Sequence, residues 1–495
     1  MTVETGSFYA ALRAALEARG DRTILVDDSH ALHGAALLDG VERWAEALVA
    51  LGVRAGDRVA VQAEKSIELV QLYLATLRLG AIYLPLNSGY RTAEIDYFLD
   101  DAEPVLFVCD PADAGRFRDH GVLVATLGAH GTGSLAEAVA APNPPAPAHR
   151  ARGNDLAAII YTSGTTGRSK GAMITHANLL SNARALVAAW GIGPEDVLLH
   201  ALPLFHIHGL FVALNTLLLA GGTVRLMPGF DSAGAIDRLP GANLFMGVPT
   251  YYTRLLADPR LDQDAVAGVR LFVCGSAPLT AATFDAFEAR TGHRILERYG
   301  MSECGIICSN PLAGPRLAGA VGRPLDGVAV RIAAGGEVGV LEVAGPNVFA
   351  GYWRQPEKTR AEFRDDGFFV TGDIASIDGD GVVRIVGRDK DMIIAGGLNV
   401  YPVEIERLID LLPGVGESAV IGLPHPDFGE VVAAVVRPEP GCTLDQPGIV
   451  AALRTDLAGF KLPKAVFIVD ELPRNTMGKV QKALLRARYA TWFEG

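Results

Sequence analysis

The sequence predicts an α/β protein with a large N-terminal region of several layers and a small α+β domain at its C-terminal end. Stretches with helical and strand-like spacing alternate from Phe8 to Val273, and after Ala318 the chain changes to short β-rich pieces separated by Gly and Pro. At 495 residues the chain also exceeds what one hydrophobic core usually serves. We therefore expect at least two domains.

The first region, from Phe8 to about Val124, has helices between short strands. Helical spacing is found in Ala10–Leu16, Ala36–Leu51 and Ser66–Leu79, and strand-like runs occupy Arg58–Gln62 and Val105–Val108. Strands that alternate with helices predict parallel pairing in a layered domain.

A second alternating region follows the proline-rich stretch 140–153, which predicts a connection rather than an element. It contains a helical stretch, Ala177–Trp190, and the strand-like runs Leu244–Val248 and Arg270–Val273. The β-rich pieces beyond it predict a small β-barrel or sheet; they are Val328–Ile332, Gly339–Val343 and Val382–Val386.

The predicted domain boundary lies between Arg388 and Asp389, so that the domains are 1–388 and 389–495. It separates the strand that ends near Val386 from the Gly-rich turn Gly396-Gly397. The remaining residues contain a helical stretch, Pro402–Leu411, and two strand-like runs, Ala419–Gly422 and Val431–Val436. This region has the size of an ordinary small domain.

Composition limits the classes of partner and compartment. A hydrophobic content of 49% with 20% charged residues is typical of a globular protein. A net charge of −12 without a long basic run argues against a nucleic-acid partner. Five scattered cysteines argue against a disulfide framework and favour a cytoplasmic location. No signal-peptide pattern or long apolar run is present, so we expect a soluble protein without a membrane partner. The oligomeric state is unknown from the sequence.

A Gly-rich loop follows the apolar run Leu156–Ile160 and predicts a phosphate-binding site. Its small residues let backbone N–H groups converge on an anion, and its lysine adds a positive charge. The candidate contacts are Thr162, Ser163, Gly164, Thr165, Gly167 and Lys170. The pattern is not a Walker A loop, which needs Gly-Lys adjacent and then Ser or Thr. A flexible surface loop is the alternative interpretation.

Four distant motifs share the order of a known superfamily. They are Tyr299–Glu303 (YGMSE), Thr371–Asp373 (TGD), Gly387–Asp391 (GRDKD) and Pro473–Lys479 (PRNTMGK). With the Gly-rich loop they resemble the acyl-CoA synthetase, luciferase and peptide-synthetase adenylation superfamily over nearly the whole chain. Within it, Leu202–Leu210 and Glu297–Met301 are most similar to malonyl-CoA synthetases. The resemblance implies an N-terminal adenylate-forming domain, a small mobile C-terminal domain, and the use of ATP, Mg²⁺ and coenzyme A.

The resemblance also implies roles at a nucleotide site. Lys479 is identified as the lysine that bridges the carboxylate and the α-phosphate, and Glu303 and Thr166 as catalytic residues that hold Mg²⁺. The remaining implied contacts to the nucleotide are Tyr299 at adenine, Ser302 in the same motif, and Asp373 and Arg388 at the ribose. A solvated lysine, a surface acid, a turn aspartate and a core tyrosine are the alternatives for these residue types.

Domain rotation is a property of the resembled superfamily. Lys390 occupies the position of its hinge, where backbone torsions absorb the motion. Gly396 and Gly397 would form the turn that faces the thiol of coenzyme A. A simple turn before a helix is compatible with this role.

Arg298 indicates the class of acid. A cation beside an apolar acyl pocket is costly unless it meets an anion, so the substrate is expected to carry a second carboxylate. An ion pair with Glu297 is the alternative. The resemblance adds Ser276 as a second binder of the distal carboxylate, His206 as a catalytic guard of the acyl entrance, and His208 as a pocket residue.

The sequence departs from the malonyl-CoA synthetase pattern in two segments. Ile207 places a β-branched side chain between the histidines, and Gly305-Ile306 stands where that pattern has Asn-Met. Both changes alter pocket volume, so methylmalonate or another short dicarboxylate is an alternative to malonate.

The predicted function is an ATP-dependent acid:CoA ligase for malonate or a related short dicarboxylate. One alternative is a CoA ligase for a short aliphatic or aromatic monocarboxylate, in which Arg298 is structural. Another is an adenylation enzyme that loads a separate carrier protein.

Overall fold

The computed structural model describes residues 6–162, 169–395, 398–425, 429–475 and 478–493. Within these ranges the helices are α1 (Phe8–Arg19), α2 (Gly34–Ala50), α3 (Ile67–Arg78), α4 (Thr92–Ala102), α5 (Ser134–Ala140), α6 (His176–Trp190), α7 (Asn215–Leu219), α8 (Ser232–Arg238), α9 (Pro249–Ala257), α10 (Ala281–Thr291), α11 (Pro356–Glu362), α12 (Pro402–Ile409), α13 (Gln446–Leu453) and α14 (Lys482–Tyr489). A π-helix, His208–Leu214, precedes α7, and a short 3₁₀ helix spans Asp389–Asp391.

The strands in the same ranges are β1 (Thr23–Val26), β2 (Ala31–His33), β3 (Arg58–Gln62), β4 (Ile82–Pro85), β5 (Leu106–Cys109), β6 (Leu123–Thr126), β7 (Leu156–Thr162), β8 (Lys170–Thr175), β9 (Val197–His200), β10 (Thr223–Leu226), β11 (Leu244–Gly247), β12 (Leu271–Cys274), β13 (Leu296–Met301), β14 (Gly305–Ser309), β15 (Arg323–Pro324), β16 (Ala329–Ile332), β17 (Val338–Ala344), β18 (Phe369–Ile377), β19 (Val383–Arg388), β20 (Ile393–Ala395), β21 (Leu398–Val400), β22 (Val415–His425), β23 (Gly429–Pro438) and β24 (Ala465–Ile468).

Two large sheets form the layered α/β part. One has the order β6-β5-β3-β4-β7-β8 and is parallel except for β8, which forms an antiparallel hairpin with β7. The other has the order β15-β14-β13-β12-β11-β9-β10-β1-β2, with a parallel centre and antiparallel ends. Central strands such as β5, β11 and β12 are buried along their whole length, as parallel strands between helical layers require. The predicted parallel pairing is confirmed.

The β-rich region after Ala318 contains an open antiparallel sheet in the order β16-β17-β18-β19. Of the two predicted arrangements for this region, a small β-barrel or a sheet, the structure has the sheet. Asp373 and Arg388 are register partners on β18 and β19, so the pairing of two strands brings two distant motifs together.

The C-terminal unit is a sheet in the order β21-β20-β23-β22, with β24 parallel to β23. Its core packs Ile405 and Ile409 of α12 against Val420 and Val432 of the sheet. The chain passes from one sheet to the next between Arg388 and Ile393, which is compatible with the predicted boundary at 388/389; that boundary stays a prediction.

The parallel centre of the nine-stranded sheet positions three chain segments. β9 ends at His200 and leads to the π-helix, β12 ends just before Gly275 and Ser276, and β13 carries Arg298. Because carboxyl ends of parallel strands meet at one edge of a sheet, these segments converge there. No helix among the described residues combines the length and apolar character needed to cross a membrane.

Candidate active site

Arg298 lies against the backbone that follows β12. A Cβ atom added to Gly275 would lie 2.5 Å from the guanidinium carbon of Arg298. Glycine at position 275 therefore leaves room for the arginine side chain. The arginine is 5% exposed. The sequence places a glycine and an arginine in separate motifs, and the sheet brings them into contact.

The guanidinium of Arg298 has donors without acceptors. Within the described ranges, the buried Nε and Nη2 atoms have no hydrogen-bond partner. Burial lowers the pKa of Arg298 to about 10, so the group stays protonated at neutral pH. A buried cation with unused N–H groups is the arrangement that binds an anion.

Glu297 does not serve as the counter-ion. Glu297 directly precedes Arg298 on strand β13, so the two side chains point to opposite faces of the sheet. Its carboxylate accepts a bond from the Gly319 amide at 3.2 Å, and burial raises its pKa to about 8. The predicted alternative of an Arg298–Glu297 ion pair is therefore not observed among the described contacts.

Two neutral histidines flank this arginine. His206 Nδ1 accepts a bond from the His208 amide at 3.2 Å, and His208 Nδ1 lies 3.2 Å from Ser276 Oγ. Burial lowers the pKa of His206 to about 4 and that of His208 well below its usual range, and the charge of Arg298 adds to both shifts. The buried Nε2 atom of His208 has no partner in the described part of the chain.

Ser276 has a strained backbone. Its φ of 72° lies in the left-handed region, which costs a residue with a side chain about 1–2 kcal/mol. Such strain collects at functional sites because the surrounding structure must hold it. Here it places the hydroxyl beside His208.

Ile207 and Ile306 both pack in the main hydrophobic core. The backbone of Ile306 is fixed by Asn182, which accepts from its amide at 3.0 Å and donates to its carbonyl at 2.8 Å. Gly305 has a φ of 59°, and a Cβ there would lie 2.5 Å from Asn182 Oδ1. The left-handed backbone and the close approach of Asn182 both favour glycine at position 305, where the resembled pattern has Asn.

Asp373 joins three of the four motifs. It is 3% exposed, accepts from Tyr299 Oη at 2.5 Å and pairs with Arg388 Nε at 2.7 Å. Thr371 Oγ1 accepts from its amide at 3.1 Å and donates to the Leu341 carbonyl at 2.8 Å. The TGD motif is thereby fixed on both sides, and its carboxylate is held beside the partly exposed ring of Tyr299.

Glu303 is a buried acid that shares a hydrogen-bond partner, Tyr352, with Glu362. Tyr352 Oη lies 3.1 Å from Glu303 and 2.6 Å from Glu362. Burial raises the pKa of Glu303. No cluster of three or more His, Cys, Asp or Glu side chains suited to a metal occurs in the described ranges. A hard cation held by one such carboxylate takes its other ligands from phosphate oxygens and water, which is the usual manner of Mg²⁺.

The Gly-rich loop connects β7 and β8, and only its ends are described. Thr162 and Lys170 are register partners, and Lys170 Nζ lies 3.3 Å from Glu362 and over the ring of Tyr352 at 4.9 Å. Ser302 lies partly buried in the turn after β13. Several predicted site residues fall outside the described ranges, namely Ser163, Gly164, Thr165, Thr166, Gly167, Gly396 and Gly397.

Lys479 approaches the nucleotide motifs from the C-terminal unit. Its loop contacts α9, because a Cβ on Gly478 would lie 3.0 Å from Thr250 Oγ1. Burial and, to a smaller extent, the charge of Arg388 lower the pKa of Lys479 to about 8, and Asp373 partly offsets this shift. Lys479 is exposed, as is Lys390 in the 3₁₀ helix before β20.

Sequence reasoning missed the residues that support the loop. Tyr97 Oη donates to the Ser169 carbonyl at 2.7 Å, and Tyr161 Oη donates to Asp101, so α4 holds both ends of the loop. Tyr352 and Glu362 were also missed. They follow Glu303 by many residues and lie in no recognisable motif, so no sequence signal pointed to them.

Comparisons with known proteins identify the family of this chain. Residues 12–353 match the AMP-binding enzyme family, and residues 404–479 match the AMP-binding enzyme C-terminal domain. The chain belongs to the AMP-binding enzyme family. It is an acid–thiol ligase that uses ATP and Mg²⁺ and takes coenzyme A as a substrate.

The relatives include enzymes for two kinds of acid. A feruloyl-CoA synthase from Amycolatopsis sp is 38% identical over 475 residues, covering 93% of this chain and 94% of that protein. A malonate–CoA ligase from Arabidopsis thaliana is 36% identical over 482 residues, covering 87% of this chain and 78% of that protein. The crystal structure of ATP-bound MatB from Rhodopseudomonas palustris is 50% identical, covers 99% of this chain and 100% of that chain, and gives a TM-score of 0.95. The apo structure of the same enzyme gives 0.85 at the same identity and coverage.

Proposed function

We propose that this ligase converts malonate, or a related short dicarboxylate such as methylmalonate, to its CoA thioester through an acyl adenylate. The observation that carries the proposal is the buried guanidinium of Arg298, whose Nε and Nη2 lack acceptors among the described residues. The malonate–CoA ligase relative supports it.

The energetics of Arg298 favour an anionic substrate group. A desolvated cation without a partner costs several kcal/mol, and a carboxylate that accepts two parallel N–H bonds removes that cost. His208 Nε2 offers a further polar atom, and Ser276 fixes the orientation of its ring. A second carboxylate on a short acid would meet all these groups while its first carboxylate reacts.

The nucleotide half supplies the adenylation chemistry. We propose that Asp373 and Arg388 bind the ribose, that Tyr299 packs on adenine beside Ser302, and that the loop from Thr162 to Lys170 binds phosphates. Lys479 lies near Asp373 and Arg388 in the described arrangement and would hold the acid carboxylate against the α-phosphate. The carboxylate oxygen would then attack the α-phosphorus, and the bond to the β-phosphate would break with release of diphosphate, while Lys479 neutralises part of the charge.

Glu303 and Thr166 would hold Mg²⁺. The buried carboxylate of Glu303 suits a hard cation, and Thr166 lies in the loop outside the described residues. When bound, the metal supplies positive charge next to the phosphates. Tyr352 fixes the Glu303 carboxylate by its bond at 3.1 Å.

The thioester step needs a different arrangement of the small domain. We propose that the chain rotates at Lys390, between residues 1–388 and 389–495, so that Gly396 and Gly397 face the thiol of coenzyme A. The higher TM-score with the ATP-bound relative than with its apo form supports the assignment of the described arrangement to adenylation. His206, which is neutral because burial and the charge of Arg298 lower its pKa, would guard the acyl entrance.

A ligase for an aromatic monocarboxylate is the second candidate. The feruloyl-CoA synthase relative, 38% identical, favours it. In that case Arg298 would be structural, and Ile207 and Ile306 would shape an apolar pocket. Loading of a carrier protein in place of coenzyme A is a third alternative that shares the adenylation half.

CoA-thioester formation across a matched panel of acids tests the proposal. Malonate, methylmalonate, succinate, acetate, butyrate, benzoate and ferulate are supplied with ATP and Mg²⁺ at equal concentrations. We expect the short dicarboxylates to dominate by at least about tenfold, because a missing carboxylate leaves buried donors unpaired. Preference for a monocarboxylate would overturn the dicarboxylate assignment, and acyl-AMP without thioester would favour a carrier protein.

A further inference from the structure

The structure contains a small cavity beside a lysine that the ligase chemistry does not use. The cavity has a volume of about 110 Å³ and lies between the ends of β3 and β4 and the segment after β9. Lys65, Tyr83, Ser88, Pro203 and Phe205 are among its lining residues. Cavities of roughly 150 Å³ hold a benzene-sized molecule, so this one has room for a short acyl group.

The amine of Lys65 is held by two carbonyl groups. Its Nζ donates to the carbonyl of His200 at 3.1 Å and to that of Leu202 at 2.8 Å. A neutral amine has two N–H groups and one lone pair, whereas an ammonium has three N–H groups. Two acceptors satisfy the neutral form and leave its lone pair free. Burial lowers the pKa of Lys65 to about 7, in agreement with this count.

These two bonds fasten the segment that carries the acyl-site histidines. His200 ends β9, and its Nε2 lies 2.9 Å from the carbonyl of Gly209, the neighbour of His208. Leu202 begins the turn that leads to His206. Lys65 therefore links the six-stranded sheet to the part of the nine-stranded sheet that orients the histidines.

We propose that Lys65 is an acylation site, at which the amine takes a short acyl group from an acyl thioester or an acyl adenylate and thereby loosens the histidine turn. The amine nitrogen attacks the acyl carbonyl, the C–N bond forms, and the C–S or C–O bond to the carrier breaks. The amine proton leaves with the thiol or with AMP, so the step is balanced. The amide product keeps one N–H, so it satisfies at most one of the two carbonyls.

The inference goes beyond the proposed function and rests on it only for the source of the acyl group. A thioester added to the protein tests Lys65 without any ligase turnover, so loss of the dicarboxylate assignment would leave this test intact. Modification of Lys65 would raise the KM for the acid, because the bonds that it removes orient the acyl site rather than the nucleotide site.

The wild-type protein is the first subject of the test. It is incubated with acetyl-CoA or malonyl-CoA, without ATP, and the acylated fraction at each lysine is measured by peptide mass spectrometry. We expect Lys65 to react at least about tenfold faster than the exposed Lys464, because its two bonds to carbonyl groups leave the lone pair of its amine free. Equal or slower reaction at Lys65 would exclude the thioester as the donor, and it would overturn the proposal if the adenylate also fails to label Lys65.

A second incubation distinguishes the two acyl sources. ATP, Mg²⁺ and the acid are supplied without coenzyme A, so that the adenylate is the only activated acyl group. Labelling of Lys65 here but not by added thioester assigns the adenylate as donor, and the reverse assigns the thioester. Labelling in neither arm overturns the proposal.

The pH profile gives a readout that an ordinary surface lysine would not show. Labelling of Lys65 is expected to rise up to about pH 7 and then level off, whereas an ordinary lysine continues to rise towards about pH 10. Among the titratable groups beside it, burial lowers the pKa of His200 to about 3 and raises that of Tyr83, and Glu64 lines the cavity. A profile that keeps rising to pH 10 would contradict the assignment.

A substitution separates modification from position. Lys65→Arg retains N–H donors for the two carbonyls but cannot form the amide. After treatment with thioester, the wild type is expected to show a several-fold higher KM for the acid and an unchanged KM for ATP, while Lys65→Arg keeps its own untreated KM for both. Equal loss in the two proteins would place the inactivating acylation elsewhere and overturn the proposal.

Discussion

The nucleotide half and the acyl half of this site treat buried charge in opposite ways. In the nucleotide half, Asp373 is bonded to both Arg388 and Tyr299 before any substrate arrives. In the acyl half, Arg298 is as deeply buried but keeps unused donors within the described residues. The two regions differ in pairing rather than in burial.

This difference reflects what each half must recognise. The paired carboxylate of Asp373 still has lone pairs for ribose hydroxyls, so its protein partners orient it without consuming it. Arg298 is completed only when an anion enters. Under the proposed function, binding energy in the acyl half includes relief of an unpaired charge, so that half would select acids that bring a second negative charge.

Removal of Lys479 has the largest expected effect. Lys479→Ala takes away the cation that the C-terminal unit presents near Asp373, so acyl-AMP formation is expected to fall by at least about a hundredfold. Thioester formation from supplied acyl-AMP should persist, because under the proposed function that step uses a different domain arrangement. Pyrophosphate exchange and thioester assays measure the two halves separately, and equal loss in both would contradict the assigned role.

Arg298→Met is the sharpest test of the difference in charge pairing between the two halves of the site. Methionine has a similar volume and no charge, so use of the dicarboxylate should fall by about a hundredfold, equivalent to about 2.7 kcal/mol, while the KM for ATP stays the same. The unfolding free energy should rise by about 1 kcal/mol or more, because the unpaired buried cation is gone. Chemical denaturation measures this.

A fall in stability on Arg298→Met would mean that Arg298 has protein partners after all. The exposed Arg454 supplies the matched control. Arg454→Met should change neither the stability nor the acid preference.

Asp373→Asn should give the opposite pattern. The substitution removes the charge that Arg388 pairs with, so we expect a loss of about 2 kcal/mol in stability together with a raised KM for ATP. The ratio of malonate to acetate use should not change. A changed ratio would show that the two halves are not independent.

The smallest effect is expected at Ser276, where two substitutions separate strain from hydrogen bonding. Ser276→Ala keeps the left-handed strain and loses the bond to His208, so stability should fall by about 1 kcal/mol. Ser276→Gly also loses the bond but relieves a similar amount of strain, so stability should be nearly unchanged. Both should raise the KM for the dicarboxylate a few-fold in steady-state assays. No change in KM would remove Ser276 from the acyl site.

The sequence predicted those features that local pattern encodes. Alternating periodicity predicted the parallel layers, and a charged residue beside an apolar pocket predicted an anionic substrate group for Arg298, with an ion pair to Glu297 as the alternative. The contact of Gly275 with Arg298 and the register of Asp373 with Arg388 depend on strand pairing, so only the motif order hinted at them. Tyr352 and Lys65 could not be found, because a tyrosine and a lysine acquire their roles here from neighbours far along the chain.

The π-helix that begins at His208 makes the proposed acyl site sensitive to chain length. A π-helix holds more residues per turn than an α-helix and usually marks a functional site. Deleting one residue between Gly209 and Leu214 would let this segment continue α7 as a regular helix. Each residue of an α-helix turns the chain by about 100°, so the deletion would rotate His208 away from Ser276. His208 and Ser276 would both still be present in the sequence. Acid specificity in this fold can therefore change through an insertion or deletion as well as through a substitution.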